Sequence, residues 1–278
     1  MDWEIAPQYS TDRDSDGTGG GPPRQVGVDD FHLLKVLGKG AFGKVMLVQK
    51  RDAAGRAEGP LLAMKSLRKQ MVFERNQITH TATERAIVQH VQHPFLVKLV
   101  YAFQTAEKLY MVLEYMPGGE LLYWLRLERR FSEDRSRLYG AEIGLGLAAL
   151  HERGLVYRDL KPENVMLDAE GHVRITDFGL AKDGVTSPDA SGGTKTFCGT
   201  PEYLAPELLQ DTGHGFAVDW WSFGTLLFEM MCGVPPFYDH NVRVMYEKIL
   251  SAPLRFPPHL SKVRASVWGS RASTSPRF

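Results

Sequence analysis

Tyr157-Arg158-Asp159-Leu160-Lys161-Pro162-Glu163-Asn164 is the stretch on which the reading of the whole chain turns. Asp177-Phe178-Gly179 follows it, then Ala205-Pro206-Glu207. Upstream, Ala63-Met64-Lys65 closes an apolar run, and before it Gly38-Lys39-Gly40-Ala41-Phe42-Gly43-Lys44-Val45 separates two β-rich segments. Flanked by strands, these glycines form the turn of a hairpin and do not open a helix. Glycine there lets backbone amides approach an anion closely. One glycine-rich turn is a weak signal, but five such elements in this order are a specific one.

Working outward, the alternation of FHLLKVLGKGAFGKVMLVQK predicts a strand pair from Phe31, and Leu61 to Ser66 reads as a third strand. A helix is expected from Gln77 to His90, with Ala82 and Ala86 at helical spacing. β-rich runs return between Leu96 and Leu113. After Pro117-Gly118-Gly119 the pattern turns helical. Ser132 is a suitable N-cap with Glu133 and Asp134 in the first turn, and Leu138, Ala141, Leu145 and Ala148 follow at three- and four-residue steps. Gly144 and Gly146 sit inside that helix at about 1 kcal/mol each against alanine, which close packing of a neighbour would explain. Val218 to Cys232 is apolar nearly all round and should be buried.

Composition narrows the function classes. A chain of 278 residues with 43% hydrophobic and 24% charged residues can bury a core without disulfides. Lys plus Arg and Asp plus Glu both number 33, so no global field points to nucleic acid or an anionic surface, and any phosphate site must be local. Two cysteines, Cys198 and Cys232, fit a reducing, cytoplasmic setting. No apolar run approaches the roughly 20 residues of a membrane span. Tyr9 to Gln25 offers little apolar surface and reads as part of a disordered leader over residues 1–30; residues 261–278 lose periodicity and read as an irregular tail.

The ordered set of motifs resembles the eukaryotic protein kinases from Phe31 to about Leu260. The resemblance implies a two-lobed α+β fold, with a β-rich N-lobe over 31–115 carrying one main helix and a mostly helical C-lobe over 116–260. It implies ATP and Mg2+ as cofactors. Phosphoryl transfer asks a protein mainly for positioning and charge neutralisation, and each matched residue serves one of these. Lys65, paired with Glu84, would hold the α- and β-phosphates. Asp159 would accept or orient the substrate hydroxyl proton, and Lys161 would neutralise the transferring group. Asn164 and Asp177 would bind magnesium. Leu37 and the glycine loop from Gly38 to Val45, including Lys39, Gly40, Ala41, Phe42, Gly43 and Lys44, would cover the nucleotide. Ala63 and Met166 would sandwich the adenine, Glu114 to Met116 would form the hinge that bonds it, and Glu120 would serve both nucleotide and peptide.

Tyr157 in place of histidine before Arg158-Asp159, and K-T-F-C-G-T-P-E-Y-L-A-P-E at 195–207, resemble the AGC group of serine/threonine kinases. Y-A-F-Q-T (101–105), G-H-V-R-I-T-D-F-G-L (171–180), A-V-D-W-W (217–221) and F-E-M-M-C-G (228–233) bring it nearest protein kinase B, also called Akt, with ribosomal S6 kinase and serum- and glucocorticoid-regulated kinase sharing much of the pattern. The resemblance implies a phosphoacceptor at Thr196, an upstream kinase that modifies it, and a cationic cluster of His80, Arg158 and Lys182. It implies basic R-x-R-x-x-S/T protein substrates, with Glu120 taking one arginine, Glu163 and Glu229 a second, and Phe197, Pro201 and Leu204 lining an apolar pocket. A monomer is expected. The match fades near Arg255-Phe256-Pro257, before the helices that usually supply an arginine to Glu207, and no pleckstrin-homology domain is matched. Two readings follow: a phosphorylation-dependent kinase, or a catalytically weak kinase-like module that binds ATP or a partner.

Overall fold

Alternating apolar residues around tight turns build an antiparallel sheet in the first part of the chain. The computed structural model describes residues 9–10, 26–40, 43–185, 198–258 and 260. Between Pro117 and Gly118 the chain divides into two compact units. The first holds strands β1 (Tyr9–Ser10), β2 (Phe31–Lys39), β3 (Gly43–Arg51), β4 (Ala57–Arg68), β5 (Leu99–Gln104) and β6 (Lys108–Glu114), with helices α1 (Lys69–Glu74) and α2 (Ile78–His90). The strands lie in the order β1-β5-β6-β4-β3-β2, every pairing antiparallel.

Period-two alternation sorts β4 by face. Leu62, Met64 and Ser66 are buried, whereas Ala63 and Lys65 on the other face keep partial exposure. The buried side joins Phe31, Met46, Val48, Tyr101, Tyr110 and Val112 in one core, each fully buried side chain contributing roughly 1.5–3 kcal/mol. Phe103 stacks between Phe31 and Tyr110 at ring separations of 6.0 and 4.9 Å. In α2 the core face is Ile87 and Val88 together with Glu84, and Ala86 is exposed. Alanine is small enough for either face, so its spacing did not mark the inward one.

Order begins earlier than the leader reading expects. Val26 and Val28 pack against the sheet core, and Val28–Asp30 form one 3-10 turn in which the Gly27 amide donates to Asp30 Oδ2 at 2.7 Å. Tyr9 and Ser10 pair with Ala102 and Tyr101 of β5. The tail over 261–278 lies outside the described residues.

The second unit contains β7 (Gly119–Glu120), β8 (Val165–Leu167) and β9 (Val173–Ile175) in one small sheet, and helices α3 (Leu121–Glu128), α4 (Glu133–His151), α5 (Pro206–Leu209), α6 (Ala217–Cys232) and α7 (Val242–Ser251). Ser132 caps α4, its hydroxyl accepting from the Arg135 amide at 3.3 Å. The stripe Leu138, Ala141 and Leu145 turns out to be exposed, Leu138 by 50% and Leu145 by 56%. The inward face carries Tyr139, Gly140, Ile143, Gly146, Leu147 and Leu150. Both stripes are apolar at helical spacing, and only the position of α6 selects one. The tight approach occurs at Gly140, where an added Cβ would meet Leu227 Cδ2 at 2.6 Å; at Gly144 it would meet Phe223 at an ordinary 3.7 Å. Helix α6 is buried along most of its length and ends at Gly233 with φ 86°, a left-handed cap suited to glycine.

Candidate active site

In the first unit the glycine loop is a hairpin turn between β2 and β3, with Gly38 opposite Val45 and Lys39 opposite Lys44. Gly40 and Gly43 exchange backbone hydrogen bonds at 2.9 and 3.4 Å. The glycines serve different ends. A Cβ on Gly43 would lie 1.7 Å from the Ser66 carbonyl oxygen, so this glycine is required by the close pairing of β3 with β4. A Cβ on Gly38 or Gly40 would meet only open space, so their own fold does not demand them. Ala41 and Phe42 lie outside the described residues.

Lys65 on β4 donates from Nζ to Glu84 Oε1 on α2 at 2.6 Å. Glu84 is buried, and its carboxylate holds the ammonium on the face of β4 away from the core. The same unit carries Leu37, Val45, Ala63, Glu114 and Met116. Met116 is buried, and Glu114 is tied to Lys98 by its amide at 3.1 Å and its carboxylate at 3.0 Å.

In the second unit three side chains converge on Asp159. Lys161 Nζ lies 3.1 and 2.9 Å from its two carboxylate oxygens, and Asn164 Nδ2 donates to Oδ2 at 2.9 Å. The Thr200 hydroxyl donates to Oδ1 at 3.1 Å and accepts from Lys161 at 2.9 Å. A carboxylate surrounded by three donors is held in one orientation. Asn164 uses its amide nitrogen on Asp159, which leaves its side-chain oxygen for another partner. Its backbone carbonyl accepts from the Thr176 amide at 2.9 Å and hydroxyl at 3.2 Å, tying it to the residue before Asp177.

The loop carrying Asp159 has a strained point, Arg158 at φ 68°. Asp219, fully buried on α6, holds it there. Its Oδ2 accepts from the Tyr157 amide at 2.8 Å and its Oδ1 from the Arg158 amide at 2.7 Å, while His151 Nε2 lies 2.7 Å from Oδ2. Tyr157 is buried, donates to the Thr176 carbonyl at 2.5 Å and packs edge-on against Phe178 at 5.6 Å. Burial pushes its phenol well above the usual range, so it stays a donor.

Residues 31–270 match the family described as the protein kinase domain. This chain belongs to the protein kinase family. Its fold is the α+β kinase fold, a sheet-rich unit followed by a helical one. Curated relatives are serine/threonine kinases of the RAC type, the Akt family of the sequence reading. A RAC family serine/threonine-protein kinase homolog of Dictyostelium discoideum is 54% identical over 246 residues, covering 87% of this chain and 54% of the relative. Protein kinase 2 of the same organism is 56% identical, covering 84% and 47%. Human RAC-beta serine/threonine-protein kinase is 49% identical, covering 91% and 51%. The chain thus spans about half the length of these relatives.

Of the residues expected to receive a phosphate, Arg158 and Lys182 lie on neighbouring segments of the second unit: Arg158 Nε donates to the Leu180 carbonyl at 2.7 Å, and Lys182 bridges Val156 through two backbone bonds. Burial holds the Arg158 guanidinium below its usual value. His80 belongs to the first unit, where Nδ1 contacts Gln77 Oε1 at 2.7 Å. Thr196 and Phe197 lie outside the described residues. Among the residues expected at a peptide site, Glu120 and Glu163 are exposed, Pro201 is half-buried, and Leu204 is part of a core cluster with Val156, Val185, Ala205, Leu208 and Val218. Glu229 is buried and receives the Tyr203 hydroxyl. Met166 is half-buried in β8, opposite Glu120 of β7.

Two residues of the kinase centre were missed from sequence. Thr200 and Asp219 both stand inside motifs quoted for the resemblance, yet neither received a role. An aspartate inside the apolar run of α6 was the available signal, because a buried carboxylate must have donors.

Proposed function

We propose that this kinase domain transfers the γ-phosphate of ATP to serine or threonine in basic R-x-R-x-x-S/T proteins. The network on Asp159 carries the reading. A carboxylate oriented by Lys161, Asn164 and Thr200, on a loop pinned by Asp219, supports the part of proton acceptor for a substrate hydroxyl. As the hydroxyl oxygen bonds to the γ-phosphorus, the bond from that phosphorus to the β-phosphate oxygen breaks and ADP leaves; Asp159 takes the hydroxyl proton, and the Lys161 ammonium lies beside the transferring group. Asn164 Oδ1 and the exposed Asp177 carboxylate fit Mg2+: two hard oxygens, with no cluster of three acidic, histidine or cysteine ligands among the described residues. The metal, when bound, supplies the neutralising charge for the phosphates. Lys65, oriented by Glu84, would hold the α- and β-phosphates, and the open space at Gly38 and Gly40 leaves room for them beside the loop.

Glu120, Glu163 and Glu229 support recognition of substrate arginines. Arg158 and Lys182 support a cationic receptor for a phosphate on Thr196, added by an upstream kinase. A second reading, a kinase-like module that binds nucleotide but transfers poorly, is favoured by Glu207. It is half-buried and has no ion-pair partner among the described residues.

The test is transfer to an R-x-R-x-x-S peptide by the chain phosphorylated at Thr196. Asp159→Asn should lower kcat by about 10²–10⁴-fold while leaving the Mg-ATP thermal shift in place. A thermal shift without transfer by the parent protein would select the second reading.

A further inference from the structure

Helix α6 is apolar along most of its length, and Glu229 interrupts it. The residue is 9% exposed, and its carboxyl's one hydrogen-bond partner among the described residues is the Tyr203 hydroxyl, which donates to Oε2. The charges that act on it from neighbouring elements are uneven. Glu202 stands beside Tyr203 on the turn Pro201–Tyr203, and Glu163 is on the turn Pro162–Asn164. Arg126 of α3 supplies the opposing positive charge. A buried carboxyl thus has one hydroxyl donor and, among the described residues, no ion-pair partner, while the charges of Glu163 and Glu202 oppose its ionisation.

We propose that Glu229 rests as the protonated acid in the free protein, and that a substrate guanidinium expels this proton when it binds. The inference rests on the basic-peptide reading and adds a proton to it. The Tyr203 O–H occupies Oε2, so the carboxyl proton belongs on Oε1, the oxygen left for an incoming arginine. On binding, the Oε1–H bond breaks, the proton leaves to solvent, and the carboxylate pairs with the guanidinium. One proton is released when the arginine that pairs with Glu229 is seated.

Electrostatics agree with this geometry. Burial, reinforced by Glu163 and Glu202, pushes the Glu229 carboxyl up to about 7, against the lowering effects of Tyr203 and Arg126. The Tyr203 phenol is raised far above its ordinary value by burial and by Glu229, so it remains the donor of the pair. Only binding that ionises Glu229 gains the full charge-assisted contact, so affinity for an arginine peptide should rise as pH rises through neutrality.

Peptide-free and peptide-bound measurements separate the two layers. A carbon-13 carboxyl titration of the free protein should show one resonance with a near-neutral midpoint, absent in Glu229→Gln. A midpoint in the ordinary carboxylate range overturns the proposal whatever the peptide does. Binding of an R-x-R-x-x-S peptide should be about tenfold tighter one unit above that midpoint than one unit below it. Calorimetry in two buffers of different ionisation enthalpy should detect the released proton. Replacing one of the two arginines by neutral citrulline should remove both effects, as should Glu229→Gln. If neither citrulline substitution weakens binding at any pH, the basic-peptide reading has failed. If an arginine matters but carries no proton release, the proposal has failed and that reading stands.

Discussion

Asp219 shows how one buried charge sets the geometry of a loop it never joins in sequence. Its two oxygens take the amides of Tyr157 and Arg158 and face His151, so a carboxylate replaces the missing backbone partners of a turn that carries Arg158 at positive φ. Asp219→Asn exchanges one acceptor for a donor that faces other donors. A buried donor left unmatched costs about 1–3 kcal/mol. The Asn variant should unfold at lower urea concentration by that amount. Its kcat should fall about 10²-fold with a smaller change in KM for ATP, because a shift of about 1 Å in Asp159 is enough for such a loss. An unchanged kcat would show that the loop holds its shape without this anchor.

Among the elements, α4 separates legible from illegible features. Its start was plain, since a hydroxyl cap followed by two acids suits the exposed amides of a first turn. Its inward face was not, because two apolar stripes compete and α6 covers only the one with Gly140. Gly144 lies off the tight contact, where an added Cβ meets Phe223 at 3.7 Å. Gly144→Ala should therefore stabilise the protein by about 1 kcal/mol, the helix-propensity difference. Gly140→Ala should be less stable than Gly144→Ala, since its Cβ would press on Leu227 at 2.6 Å. Thermal unfolding of the two variants checks the order. A similar contrast exists in the glycine loop, where Gly43 answers to the Ser66 carbonyl and Gly38 to no neighbour in the fold.

For the molecule as a whole, the zero net charge resolves into separate local fields. Lys65 with Glu84 occupies one unit; the Asp159 network, the Arg158–Lys182 region and the acids near Tyr203 occupy the other. Glu207 has no ion-pair partner among the described residues. Burial raises its carboxyl above the ordinary value of 4.5, so ionising it disfavours the fold. The unfolded chain loses this proton first, and stability therefore falls as pH rises from the unfolded value through the raised one. Glu207→Gln removes that loss. Urea denaturation across a pH series should find parent and variant alike in acid, with the variant more stable at neutral pH. A variant less stable at neutral pH would mean that Glu207 has a partner in solution. No helix among the described residues is long and apolar enough to cross a membrane.

The kinase motifs were readable in one dimension because phosphoryl transfer ties specific residue types to short loops at tight spacings: Asp159, Lys161 and Asn164 fall within a single turn of chain. The strands around the glycine loop were readable for a similar reason, since period-two alternation is a local property. Contacts that span long sequence separations were not. Thr200 reaches Asp159, Asp219 reaches Tyr157, and Tyr203 reaches Glu229 only once helices and turns have packed. Burial then changes the chemistry of the last pair, because a carboxyl removed from water among other acids holds its proton. The residues announce the kinase family; the packing decides how the loop of Asp159 is held and which distant side chains meet.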